Sequence, residues 1–267
     1  MHYRNHLSPP EFPATWASDW GEDQYGLWMA FTYQQVRVVF RWIIPGSFMM
    51  GSPDNETGRH KNEMLHKVTL TQGFWLAETT VTQAFWEVVT GNNPSDFIGK
   101  QRPVDNVSWD DTQVFIKQFN QLHAELTLRL PTEAEWEYAC RAGTETPFNF
   151  QQEVSLAKVN YRGTWAFDPD KWGEGALRET ANVKSYPCNN WGLYEMHGNV
   201  LEWCQDWYGD YAGKAATDPS GARSGDSRVL RGGSWIGNGL YCRSANRFRH
   251  APDFRFNGIG FRLALGH

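Results

Sequence analysis

Apolar and polar positions along this chain follow two rhythms. In three stretches the apolar residues recur at helical spacing between residues that start and stop a helix. After FWLAE, Thr80 or Thr82 can cap QAFWEVVTG, and Gly91 supplies a left-handed stop. In SWDD, Ser108 and Asp111 make a box-like cap, and Val114, Phe115, Phe119 and Leu122 continue at roughly helical spacing. In LRLPTEAEWEYACRAG, Thr132 caps, Glu135 follows three residues later and Gly143 lies just past the end. The stretches VRVVFRWII, KVTLTQGFWLAE and GIGFRLAL are instead rich in β-branched and aromatic residues and predict strands. They sit at opposite ends of the chain, which predicts terminal strands pairing around a looped middle from Thr144 to Ser234. A loop region of that length is normally functional or ligand-stabilised. The expected division is an N-terminal extension over residues 1–35, carrying the Trp-rich stretch TWASDWGEDQYGLW, packed on one domain of residues 36–267.

Composition sharpens this picture. Hydrophobic residues make up 40% and charged residues 21%, enough apolar surface for a core and no signature of disorder. Fourteen Trp and 25 Gly point to tight turns packed with large rings rather than long helices. A net charge of −5 speaks against a general nucleic-acid or anionic-membrane surface. Locally the balance reverses: from Arg223 to Arg262 eight Arg face only Asp226 and Asp253. The opening MHYRNHLSPPEFP is polar and broken by proline, and no long apolar run occurs, so no membrane span and a cytoplasmic location are expected. Cys140, Cys188, Cys204 and Cys242 form no CxxC pair, which leaves buried thiols as the default. No heptad or symmetric motif appears, and a monomer is expected.

Six motifs in order, IPGSFMMGS, PVDNVSWDD, LRLPTEAEWEYACRAG, NNWGLYEMHGNVLEW, VLRGGSW and GIGFRLA, resemble the formylglycine-generating-enzyme, or sulfatase-modifying factor, family from Arg41 to Ala264. The resemblance implies an α+β fold of the C-type-lectin-like type, with little regular structure and long ordered loops. It also implies chemistry that must be checked residue by residue. The enzymes hold copper with two Cys after GGS, thiolates and Cu(I) both being soft. Here the segment reads GGSWIGNGLYCRSANR: Gly237 replaces the first of those Cys and only Cys242 remains, so copper is not expected. An oxidoreductase of the sulfatase-maturation type using Cys242 is the alternative reading; a small buried Cys is the other role open to that residue. In the family the segment matching GLYEMHGNVLEW wraps a structural Ca²⁺, which would assign Glu195 and Glu202 as carboxylate ligands with the carbonyls of Gly198 and Val200 between them. Simple salt bridges to Arg are the alternative for both Glu. A second family calcium site around Asn160 and Tyr161 is left incomplete by the departing loop KWGEGALRET.

Between Ile236 and Gly258, residues that resemble the family scaffold (Arg243, Ser244, Ala245, Arg247, Pro252, Asp253 and Arg255) alternate with unusual ones. The candidate ligand-binding set is Ile236, Gly237, Asn238, Leu240, Tyr241, Asn246, Phe248, His250, Phe254, Phe256, Asn257 and Gly258. Aromatics on loops suggest an exposed patch, whose Phe residues could be replaced by Ser without unfolding; the alternative is that they face inward as core. The alternation resembles the variable proteins of diversity-generating retroelements. There, randomised adenines in asparagine codons cannot yield Lys, Glu, Gln, Met or Trp, and none of these five occurs from Ile236 to Gly258. The function expected is therefore a non-catalytic ligand-binding protein with a diversified C-terminal loop surface, recognising a protein or other macromolecule and no specific nucleic acid. An undiversified accessory domain is a third possibility. The local Arg excess would pin loop carbonyls and Asp253 and hold the surface rigid.

Overall fold

The computed structural model describes residues 7–150, 152–166, 168 and 170–266. Its regular elements in chain order are β1 (Asp19–Asp23), β2 (Gly26–Tyr33), β3 (Val36–Ile43), β4 (Gly46–Met50), β5 (His66–Leu70) and β6 (Phe74–Ala77). Then come α1 (Gln83–Thr90), α2 (Trp109–Leu122), β7 (Leu128–Arg129), α3 (Glu133–Arg141) and β8 (Leu201–Trp207). The C-terminal part adds β9 (Ala216–Thr217), β10 (Arg228–Arg231), a 3-10 turn (Gly239–Cys242), β11 (Phe248–His250), β12 (Ile259–Phe261) and β13 (Ala264–Leu265).

The helix starts follow from their caps. Thr82 accepts the Phe85 N–H at α1, and Ser108 and Thr132 each close a reciprocal capping box with Asp111 and Glu135. Gly91 ends α1 in the left-handed region as expected, whereas α3 turns left-handed already at Ala142.

Three sheets organise the strands, in the orders β1-β2-β3-β6-β13-β7, β11-β10-β8-β12 and β4-β5-β9. The ends of the chain meet where β13 pairs with β6, which itself pairs with β3. Both KVTLTQGFWLAE and GIGFRLAL break into two strands that join different sheets. At the first break the backbone passes so close to Trp42 that a Cβ on Gly73 would lie 2.3 Å from its ring. The N-terminal hairpin β1–β2 extends the edge of the six-stranded sheet, with Phe12 and Trp16 packed on the main core.

That core lies between the six-stranded sheet and helices α1 and α2, and holds Phe31, Phe40, Phe85, Phe115 and Phe119. A second cluster around Trp136, Phe74 and Val229 sits under α3. Among the described residues no helix is long and apolar enough to cross a membrane.

Candidate ligand-binding surface

The surface begins where β10 ends. Gly232 and Gly233 both take positive φ, and a Cβ on Gly233 would stand 2.8 Å from the Cys242 sulfur, so the tight GGS turn requires glycine there. Trp235 then drops inward and donates its indole N–H to the Asn257 carbonyl at 3.0 Å. Its ring meets Phe97 edge-on at 5.1 Å and Trp172 face-on at 6.0 Å. The following 3-10 turn is capped by Asn238, whose side chain accepts the Tyr241 N–H. Backbone bonds from Arg162 N to Gly237 O and from Gly239 N to Thr164 O, both 2.8 Å, tie it to the neighbouring loop.

Beneath this turn lie two buried titratable groups. Cys242 is fully buried against Phe148, Val159 and Tyr161, and burial pushes its thiol up to about 12. His197 donates from Nδ1 to the Cys242 carbonyl at 2.7 Å and accepts the Asn149 N–H at Nε2, which fixes a neutral tautomer. Burial lowers its pKa to about 4.

Next comes a frame of arginines. Arg243 donates to both oxygens of Glu63 at 2.7 and 2.8 Å and to Glu56 at 2.6 Å. Arg247 grips Glu133 at 2.6 and 2.8 Å and reaches the carbonyls of Asn62 and Gly209, while Arg231 pairs with Glu137 and the Asn246 carbonyl. These guanidinium groups are buried; burial raises Glu63 and Glu133, but Arg243 on the one and Arg247 with Arg231 on the other outweigh it and leave both below the usual carboxylate range, whereas burial leaves Glu56 raised. While Arg228 lies over the Trp109 and Trp207 rings, Arg231, Arg243 and Arg247 are thus spent on carboxylates from distant parts of the chain. Asp253 is not among them, a correction to the expected pairing: Arg255 takes Asp111 of α2 at 2.7 Å through two N–H groups and reaches only the backbone carbonyl of Asp253.

Strand β11 brings the chain out along the edge of its sheet, where Leu230 pairs with Phe248 and Arg228 with His250. Phe248 and His250 therefore share a face. Tyr241 meets Phe248 edge-on at 5.0 Å and links the 3-10 turn to the strand, and His250 stacks on Phe254 at 3.8 Å. Phe254, at 37% exposure, is the most open of these Phe rings. From there Phe256 O accepts the Asn106 N–H at 3.1 Å and Asn257 donates to Asp96 at 2.9 Å, returning the chain to β12.

Nine of the twelve sequence-predicted residues are exposed or half-exposed: Ile236, Gly237, Leu240, Tyr241, Phe248, His250, Phe254, Phe256 and Asn257. The other three are buried and serve the backbone. Asn238 caps the turn, Asn246 donates to the Tyr241 carbonyl, and a Cβ on Gly258 would strike the Phe256 ring at 2.9 Å. Phe248 and Phe256 are also less free than a purely exposed patch implies, because their inner edges pack on the main core. Two neighbours carried no sequence signal. Trp165 lies half-exposed against Gly239, and exposed Arg249 stacks on Tyr208 at 4.6 Å. Beside Trp165 and Val154 opens a groove of about 760 Å³ whose rim includes Glu56, Glu145 and Glu153.

Of the four residues assigned to calcium, both Glu side chains have protein partners. Both Glu202 oxygens are taken by Arg262 at 2.9 and 3.0 Å, with the Trp136 indole N–H adding a third bond at 2.8 Å. Glu195 accepts the N–H groups of Lys184 and Tyr186, and the Gly198 and Val200 segment runs straight into β8.

Residues 32–266 match the family described as sulfatase-modifying factor enzyme 1-like domain. The formylglycine-generating enzyme of Mus musculus is 33% identical over 76% of this chain and 54% of its own. The chain thus spans about half the length of the curated relatives it matches. Among solved structures, Treponema denticola variable protein 1 superposes with a TM-score of 0.76 at 30% identity, over 89% of this chain and 98% of that one. PvdO from Pseudomonas aeruginosa superposes with a TM-score of 0.69 at 27% identity, over 94% and 99%. With motifs, fold and family match in agreement, the chain belongs to the sulfatase-modifying factor, or formylglycine-generating-enzyme, family and has a C-type-lectin-like fold, which it shares with Treponema denticola variable protein 1.

Proposed function

We propose that this chain is a ligand-binding protein whose C-terminal loop surface is diversified and recognises a protein or other macromolecule. The observation that carries this reading is how burial sorts the segment from Ile236 to Gly258. Up to Arg247 the residues that resemble the family scaffold, Arg243, Ser244, Ala245 and Arg247, are buried, whereas Tyr241, Phe248, His250, Phe254 and Phe256 reach solvent; Pro252, Asp253 and Arg255 of the scaffold set lie at the surface beside them. A surface built this way can change its contacts without changing its backbone. Aromatic rings supply large contact area at little cost in side-chain entropy, and a frame already rigid loses less on binding. The likeness to a variable protein supports the same reading. Oxidation of the family type is disfavoured by Gly237, which has no side chain for a metal, and by a Cys242 thiol that is buried and protonated at neutral pH.

The deciding experiment is to sequence the DNA flanking the gene for a near-copy of the stretch encoding Ser234 to Leu263 that differs only at adenines, beside a reverse transcriptase. Finding it is the expected result. Its absence, together with copper-dependent oxygen consumption on a Cys-containing peptide, would return the chain to the enzymes of its family.

A further inference from the structure

Where the C-terminal loop rejoins β12, two buried side-chain oxygens, one on either side of Asp96, are left without a hydrogen-bond partner. The loops around Asp96, Asp105 and Asn257 are stitched together: Asp96 N–H donates to Asp105 Oδ1 at 2.9 Å, and Asn257 Nδ2 donates to Asp96 Oδ2 at 2.9 Å. Ser95 Oγ accepts the Asp105 N–H at 3.1 Å, and Asn106 N–H holds the Phe256 carbonyl. Yet Asp105 Oδ2 and Asn257 Oδ1 are both buried atoms with no hydrogen-bond partner. Asp105 has no exposed surface at all, so this is a buried acceptor aimed away from water. An unmet carboxylate oxygen in such a place costs roughly 1–3 kcal/mol or more, and native structures rarely leave one without a ligand. No arginine relieves it, because Arg102, whose charge reaches Asp105, is committed to Glu179 and the Thr180 carbonyl.

We propose that Asp105 Oδ2, Asn257 Oδ1 and the Asp96 carboxylate form a site for a hard divalent cation at the foot of the C-terminal loop. All donors are oxygen, which suits Ca²⁺ or Mg²⁺ and not a thiophilic metal. Groups of three or more His, Cys, Asp or Glu that could hold a metal are absent among the described residues, so this set of two carboxylates and an amide lacks the charge of a tight site. Asp96 is exposed and gives the ion its entry and room for water ligands. A low ligand charge and several waters predict a dissociation constant on the order of 10⁻⁴ to 10⁻³ M. Bound there, the cation would join the 94–97 loop to Asn257 and so brace the returning end of the aromatic surface. The site stands independently of what that surface binds.

Terbium tests it, because the Trp235 indole, bonded to the Asn257 carbonyl, lies close enough to sensitise its emission. Titrating Tb³⁺ into the full chain under tryptophan excitation, then displacing it with Ca²⁺, should give one equivalent that Asp105→Asn and Asp96→Asn each remove. Asp96 is exposed, so its variant should keep the fold, and an unchanged circular-dichroism melt would separate loss of binding from unfolding. Asn257→Asp adds a charge and should tighten Ca²⁺ binding by tenfold or more in calorimetric titration. Terbium stoichiometry unchanged in both Asp variants, or no binding to the parent chain at millimolar Ca²⁺, would overturn the proposal.

Discussion

The layer between the six-stranded sheet and helices α1 and α2 is held by rings. Phe31 stacks on Phe119 at 5.3 Å, Trp86 on Phe115 at 5.1 Å, and Phe85 meets Phe115 edge-on at 5.3 Å. From Arg231 to Gly258, regular structure shrinks to a 3-10 turn and one short strand, and what is buried there is largely guanidinium: Arg231, Arg243 and Arg247 on Glu137, Glu63 and Glu133. Apolar contacts are non-directional, so the first region keeps its shape through summed area and tolerates rings of similar size in slightly different poses. A guanidinium–carboxylate pair has essentially one good geometry. A handful of such pairs can therefore fix a backbone that has few ladder hydrogen bonds, and they leave the outward-facing side chains unconstrained.

The contrast breaks first at Arg243. Arg243→Ala strands Glu63 and Glu56 without a counter-charge and should cost about 3–5 kcal/mol in denaturant unfolding. Phe115→Leu in the ring layer should cost about 1–3 kcal/mol. Replacing Arg243 and Glu63 together with Met should recover much of the loss, since an apolar pair leaves one fewer charge unpaired. A double variant no better than Arg243→Ala would mean that the frame is not held by charge pairing.

Acid should loosen the loop side before the ring side. His197 has its pKa lowered from the usual 6.5 to about 4, so its contribution to stability is present above pH 6.5 and is lost as pH falls through 4. The loss is about 3 kcal/mol across that window. Because burial raises Asp206, Glu195 and Asp105, whose contributions grow as pH falls, the loss should appear as the difference between the parent chain and His197→Gln unfolded in parallel from pH 7 to 4.

The smallest effects separate rings within the surface. Phe254→Ser should change stability by no more than about 0.5 kcal/mol, whereas Phe248→Ser and Phe256→Ser, which bare the core edge, should each cost about 1–3 kcal/mol. Thermal shifts would rank them. Equal and negligible effects for all three would place the whole aromatic set outside the core.

Much of this was legible before the fold. The caps at Thr82, Ser108 and Thr132 could be read because a cap and its partner lie three residues apart. The six family motifs could be read because their order survives in the chain. The sheet assignment of the two split strands could not, because it depends on strands far away in sequence. The partner of Glu202 could not be read either: only the fold shows that this carboxylate takes Arg262, 60 residues on. Likewise Asn238 and Asn246 share the composition of the outward residues but turn inward to backbone groups they alone can reach.

Local sequence, then, determined the helices, the family and the identity of the segment that carries the aromatic surface, because each of these is written in neighbouring residues or in motif order. The tertiary structure alone decided which of that segment's residues face solvent, which carboxylate each arginine takes, and that Asp96 bonds to both Asp105 and Asn257. Those outcomes rest on contacts between residues up to about 190 positions apart, such as Arg243 with Glu56, whose geometry exists only after the chain has closed.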